Sequence, residues 1–445
     1  MLSHSEGRGE SRVIRRILAV LALAAATGLM ACPLEAAISM DIKEAIDRTL
    51  ESNSTLKSLR QEAAKASATK LQTDALWTPE IGLNAYVDEQ RESQTSDGSD
   101  RTDNRVARVT LSQTLYSGGR NSALRRQTEQ VKSIAALSLI DGENAAMGEL
   151  FARFYNVLLQ ERRIETEQSA IHTSEVHLRE VSTMSELGLA NRLEVIRASQ
   201  QLATNRASLS TAEGLYDAAL IALMNYMAIP PEERRPVVGK LQVIDVAGDR
   251  TASLELAMKN RADRELLEQQ LAYQANQIEI ERSGTRPKVT LGASAGRLDP
   301  YRQRDRGGDT WRAELSITVP VFDRNVTRGN VLRAQAVMEQ DRISIEQKDL
   351  DIRSGVETAW TELETTLEHL ESTTQALELA EETLRLAEVG FQEGVTPQLD
   401  LLAAQTSLTE SRLEHLRSLY NHMLAVVALK VTEGTIIGWS EGIDL

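Results

Sequence analysis

The chain is 445 residues long, carries a formal net charge of -15, and has few aromatic side chains (4%) among many charged ones (26%). Its acidity excludes a duplex nucleic-acid binder, because phosphate recognition needs a basic surface. Its single cysteine, Cys32, excludes an internal disulfide framework and leaves a cysteine-based metal site without enough ligands.

The first element in chain order is a leader. Arg12, Arg15 and Arg16 precede an apolar run from Ile17 to Met30, too short to span a bilayer comfortably as a helix and patterned like an export signal. Residues 1–31 are assigned to it. Cys32 follows Leu29-Met30-Ala31, a context for lipoprotein acylation, with ordinary cleavage near Ala36 or Ala37 as the alternative. No later segment reaches about 18 consecutive apolar residues, so entry into a membrane would have to use a β-barrel.

Four later segments alternate with period two. They contain Ile81, Leu83, Ala85 and Val87; Val109, Leu111 and Leu115; Val289, Leu291, Ala293 and Ala295; and Trp311, Ala313, Leu315, Ile317 and Val319. In the last, Arg312, Glu314, Ser316 and Thr318 fill the alternate positions. An apolar face opposite a polar one suits tilted transmembrane strands of about 9–11 residues around a wet lumen. An ordinary water-facing sheet gives the same alternation. The hydrophilic stretches from Asp88 to Asn104 and from Arg297 to Asp309 are expected as extracellular loops. Trp77, Tyr86, Tyr116, Trp311 and Phe322 lie where aromatic girdles would fall. Four strands cannot close a barrel and lipid does not tolerate open edges, so inserted strands require an oligomer.

The stretches from Pro79 to Pro230 and from Pro320 to Pro397 contain no other proline, which permits long helices. From Arg120 to about Leu187 a seven-residue beat runs through Leu150, Val157, Ile164, Ile171 and Leu178. It predicts a coiled-coil helix roughly 100 Å long. The beat returns 206 residues later in Val356, Leu363, Leu370, Leu377, Leu384 and Phe391. At the same offset the turn Gly188-Leu189-Ala190-Asn191 faces Gly394-Val395-Thr396-Pro397. Gly394 suits a helix end, Thr396 a cap and Pro397 a first helical position. Each copy therefore holds an α-hairpin.

The order helix, strand, loop, strand, long helix, turn, long helix, given twice, resembles the TolC-like outer-membrane efflux proteins. The strand exits Leu111-Ser112-Gln113-Thr114-Leu115-Tyr116-Ser117-Gly118-Gly119-Arg120 and Val319-Pro320-Val321-Phe322-Asp323-Arg324-Asn325 look like that family's signature, with Thr114 standing where proline is usual. Ile42 to Leu56 and Leu254 to Leu266 resemble its short entry helices. The resemblance implies a mainly α fold with a transmembrane β portion. Each protomer of a trimer gives four strands to one outer-membrane barrel and its hairpins to a periplasmic coiled-coil tunnel. The expected units are repeat 1 (38–229), an equatorial linker (230–251), repeat 2 (252–434) and a tail (435–445).

The same resemblance places adaptor contacts at Gly188, Leu189, Ala190, Gly394, Val395 and Thr396, although the glycines are equally expected merely to end helices. It places an aperture-lining carboxylate at Asp400, whose acidic companion one turn on in the family is Ala403 here. A solvated helix face is the other account of Asp400. His415 and His422 stand two turns apart, too far for an i, i+4 ligand pair, and are expected to pack. No nucleophile, phosphate loop or metal cluster is expected, and Gly118-Gly119 is expected to be a turn. The expected function is a passive outer-membrane conduit working with a periplasmic adaptor and an inner-membrane pump, without a cofactor. A periplasmic coiled-coil adaptor or scaffold is the alternative, disfavoured because it would carry one hairpin rather than two.

Overall fold

A computed structural model describes residues 39–92, 100–246, 248–300 and 307–441. The leader with Cys32 and residues 442–445 lie outside this range, so neither acylation nor cleavage is addressed by it.

The duplication holds element by element. Helices α1 (Ile42–Ser52) and α2 (Ser54–Asp74) lead into strands β1 (Glu80–Glu92) and β2 (Asp100–Tyr116), then into helices α3 (Arg120–Glu186) and α4 (Arg192–Tyr226). The second copy gives α5 (Arg250–Asn260), α6 (Ala262–Arg282), β3 (Lys288–Pro300), β4 (Gly308–Thr318), α7 (Val326–Gln392) and α8 (Gln398–Thr432). A short helix α9 (Ile436–Glu441) follows. Both long helices have 67 residues and both returning helices 35, so each long helix measures about 100 Å.

The entry segment is two helices where one was expected. Asn53 ends α1 through its backbone N–H to Thr49 O, while its side-chain oxygen accepts from the Thr55 and Leu56 amides at the start of α2. One side chain thus closes one helix and opens the next, a local event invisible to hydrophobic periodicity. The expected loops are also shorter than predicted. Pairing continues through Glu89 with Asp103 and through Arg297 with Asp309. A ladder needs only backbone groups, so strands can outrun their apolar stretch.

The sheet is antiparallel throughout in the order β1-β2-β3-β4, leaving β1 and β4 as edges. Its register sorts the side chains. Ile81, Leu111, Ala293 and Ala313 lie across from one another, as do Leu83, Val109, Ala295 and Trp311. Intervening rows hold Gly82, Thr110, Ser294 and Arg312, then Asn84, Arg108, Gly296 and Thr310. At Gly296 a Cβ would collide with the backbone of Ala107 and Arg108, so only glycine allows this close strand approach.

In each copy the second strand passes into the long helix through two left-handed residues. Gly118 and Gly119 (φ 66° and 92°) do this in the first copy, and Arg324 and Asn325 (φ 57° and 65°) in the second. The Gly-Gly turn is as expected. A Cβ at Gly118 would lie 2.7 Å from that of Arg286, whose guanidinium donates to Gly118 O at 3.0 Å.

The main core surrounds the middle of α3, where Met147, Leu150, Phe151, Phe154, Tyr155 and Leu158 pack against Leu223 of α4, Met227 just beyond its end and Met423 of α8. The inter-repeat segment closes over it, with the Met40 N–H donating to Pro236 O and the Val238 N–H to Met40 O, both at 2.9 Å. A second cluster joins Ile352, Val356, Trp360 and Leu363 of α7 to Val426 and Leu429 of α8. Full burial of side chains of this size contributes about 1.5–3 kcal/mol each.

Candidate functional site

A continuous exposed apolar surface lies on the sheet. Leu83 retains 75% and Trp311 82% of their accessible surface, and Ile81, Val87, Leu315 and Ile317 on the same face are exposed as well. Such a continuous apolar face opposite rows containing Arg108 and Arg312 can sit against hydrocarbon on one side and water on the other.

The far ends of the hairpins form the second part of the site. Gly188 (φ 76°) and Gly394 (φ 73°) terminate α3 and α7. The Leu189 N–H donates to Met184 O and the Gly188 N–H to Ser185 O; Val395 and Gly394 repeat this with Gly390 and Phe391. These paired bonds satisfy the last helix carbonyls and require a left-handed residue, hence glycine. Leu189 (77% exposed) and Val395 (80%) project from the two turns, with Ala190 and Thr396 partly buried beside them.

The helix starts differ from expectation. Pro397, not Thr396, is the cap residue of α8, and it makes no side-chain cap bond. The Thr396 N–H instead donates to Gly390 O at 3.0 Å, as part of the preceding helix end. In the first copy Asn191 and Glu194 form a capping box. Glu194 is thereby engaged at 3.2 and 3.1 Å with the Asn191 backbone and side-chain nitrogens. Its counterpart Asp400 is exposed in the first turn of α8, and its carboxylate has no hydrogen bond or ion pair among the described residues. Ala403 shares the exposed face.

Between the tips lies a contact that sequence reasoning missed. Gln398, the first residue of α8, donates from Nε2 to Glu194 O at 2.9 Å and lies 3.3 Å from His177 Nε2. His177 is buried on α3, and its ring meets Phe391 of α7 edge-on at 5.5 Å. All four tunnel helices meet there. The Gln398 amide nitrogen is placed to donate to both Glu194 O and His177, an arrangement that suits a neutral His177 accepting at Nε2. Burial pushes the His177 pKa down, partly offset by Glu180. The repeat comparison could not find this contact, because His177, Phe391 and Gln398 face Thr383, Ser185 and Arg192 in the other copy.

The heptad reading holds through Leu150, Val157, Val356, Leu363 and Leu370, all buried, whereas Ile164, Ile171 and Leu178 are only half-buried. The fully buried line on this part of α3 runs through Glu167, Ser174, His177 and Val181. His415 and His422 pack as expected: His422 is buried near Ile244 O and His415 lies against Thr374.

A family model described as Outer membrane efflux protein matches residues 45–228 and 254–435, one stretch per repeat. Protein CyaE of Bordetella pertussis is 27% identical over 392 residues, spanning 83% of this chain and 79% of that relative. Among solved structures, the Campylobacter jejuni CmeC outer membrane channel superposes with a TM-score of 0.79 at 13% identity, covering 88% of this chain and 85% of its own. The Neisseria gonorrhoeae MtrE outer membrane channel, solved in its open state, gives 0.75 at 19% identity, with 88% of each chain covered.

Proposed function

This chain belongs to the outer membrane efflux protein family, and from that premise we propose that its strands, long helices and hairpin tips act as successive stretches of one passive conduit. It is the outer-membrane channel-tunnel of a tripartite efflux or type I secretion system, a homotrimer working with a periplasmic adaptor and an inner-membrane pump. Three sheets together exceed the roughly eight strands a membrane barrel needs, which removes the edges β1 and β4. The apolar face meets lipid, and the rows of Arg108 and Arg312 face the lumen.

Repeat 1 (38–229) and repeat 2 (252–434) each supply a hairpin to the tunnel wall, and 230–251 forms a belt around it, with 435–445 as a tail. Gly188, Leu189, Ala190, Gly394, Val395 and Thr396 meet the adaptor at the tips, where exposed Leu189 and Val395 offer apolar anchors. Asp400 forms a ring of three carboxylates at the aperture, which attracts cations and repels itself when narrowed. Acylated Cys32 adds a lipid anchor. The chain conducts and does not catalyse; the pump supplies the energy.

The observation that carries this reading is the four-stranded sheet, apolar on one face and open at both edges. A soluble scaffold has no use for such a face. Chemical cross-linking of outer-membrane fractions, followed by planar-bilayer recording of the purified protein, tests it. A trimer with stable conductance is expected. A periplasmic monomer without conductance would overturn it.

A further inference from the structure

Two arginines on the polar face of the sheet stand without partners. Arg108 of β2 lies in the row of Asn84, Gly296 and Thr310, and Arg312 of β4 in the adjoining row, with Gly82, Thr110 and Ser294. Neither guanidinium makes a hydrogen bond or ion pair among the described residues. Arginines of the opposite face differ: Arg297 pairs with Asp309 at 3.8 Å, and Arg105 is engaged as well.

Strand β3 separates the two arginines and is nearly bare between them. Gly296 has no side chain there, and a Cβ would lie only 3.0 Å from that of Arg108. Ser294 is directly across from Arg312, and its hydroxyl has no hydrogen-bond partner among the described residues. Two strands and one row put the arginine Cα atoms about 12 Å apart, so extended side chains can converge over Ser294. Carboxylates stand outside these two rows. Glu80 and Glu314 share the row below, and Asp88 lies two rows above Arg108. Glu314 neighbours Arg312 along β4 yet makes no ion pair with it. Two guanidinium forks and a hydroxyl, all able to donate, match an oxyanion.

We propose that Arg108 and Arg312 of three protomers form a basic belt around the barrel lumen, which binds oxyanions in passing and favours cargo bearing phosphate or carboxylate groups. This rests on the conduit reading above and adds to it the charge of what passes. Rings of Arg or Lys favour anions, and a low-dielectric wall focuses their field into the lumen. Arginine adds a bidentate grip that a point charge lacks. The belt lies at the opposite end of the conduit from Asp400, so the two charged stretches can be probed from separate sides.

The test uses the full-length trimer in planar bilayers, with reversal potentials in a potassium chloride gradient and block by inorganic phosphate added at the barrel mouth or at the tunnel tip. Wild type is expected to be blocked at lower phosphate concentration from the barrel mouth. Arg108→Gln combined with Arg312→Gln is expected to keep the trimer yield, to lower the chloride-to-potassium permeability ratio severalfold and to lose the block from that side. Arg108→Lys combined with Arg312→Lys keeps the charge without the fork, and is expected to keep the ratio while weakening the block. A conducting glutamine variant with an unchanged permeability ratio, or with unaltered phosphate block, would overturn the belt and leave the conduit standing. A wild-type trimer that does not conduct would overturn the conduit, and the belt with it.

Discussion

At the scale of single residues, the two copies diverge at the hairpin tips. Glu194 is tied into its capping box, while Asp400, at the equivalent position, follows Pro397 and has no such tie. Replacing Asp400 by Ala is expected to raise basal conductance and weaken divalent-cation block severalfold; bilayer currents unchanged in both respects would remove it from the gate. His177 gives a pH dependence of definite sign. Its folded-state pKa is depressed by burial, so an opened tip binds more protons than a closed one. The contribution of the neutral ring is complete above the ordinary imidazole pKa of about 6.5 and is lost as pH falls towards the depressed value. Protection factors, which remove the intrinsic slowing of exchange in acid, are expected to fall for the amides of residues 184–194 and 390–400 below about pH 6.5, and His177→Gln, which keeps an acceptor but does not titrate, to abolish that dependence. Gly188 and Gly394 were legible because a helix end needs a left-handed residue. His177 and Gln398 were not, because they are 221 residues apart and lack counterparts in the repeat.

At the scale of elements, helix ends decide much of the detail. Repeat 1 finishes with Ala228 in the left-handed region (φ 55°), where repeat 2 has Gly434 (φ 68°). Both make the same paired end bonds: Ile229 to Met224 and Ala228 to Asn225, Thr435 to Lys430 and Gly434 to Val431. A left-handed alanine costs about 1–2 kcal/mol, partly offset by the greater chain entropy of glycine. Ala228→Gly is therefore expected to stabilise the fold by about 0.5–1 kcal/mol, seen as a higher thermal midpoint. The heptads gave the long helices and their lengths. They did not show that the buried seam of lower α3 turns polar, because periodicity ranks residues by hydrophobicity and the half-buried stripe of Ile164, Ile171 and Leu178 masked Glu167 and Ser174.

At the scale of the whole molecule, the sheet imposes the assembly. Neighbouring residues Leu83 and Asn84 point to opposite faces, one beside Val109 and the other beside Arg108. Leu83→Arg is expected to cost about 2–4 kcal/mol by placing a charge in hydrocarbon and to lower the yield of membrane-inserted trimer. Asn84→Arg, on the lumenal row, is expected to leave that yield intact and change only ion selectivity. Extraction and reversal-potential measurements distinguish the two. Equal loss of trimer in both would contradict the assignment of faces.

The sequence by itself determined the duplication, the long hairpins, the four alternating strands and the need for an oligomer. These follow from periodicity and from the rule that backbone edges cannot face lipid, both readable along one chain. Only the tertiary structure decided which side chains meet between the repeats: Gln398 with His177 and the Glu194 carbonyl, and the His177 ring with that of Phe391, all at the tips. The physical reason is that polar contacts between helices distant in sequence carry no period, and their burial depends on how the hairpins pack.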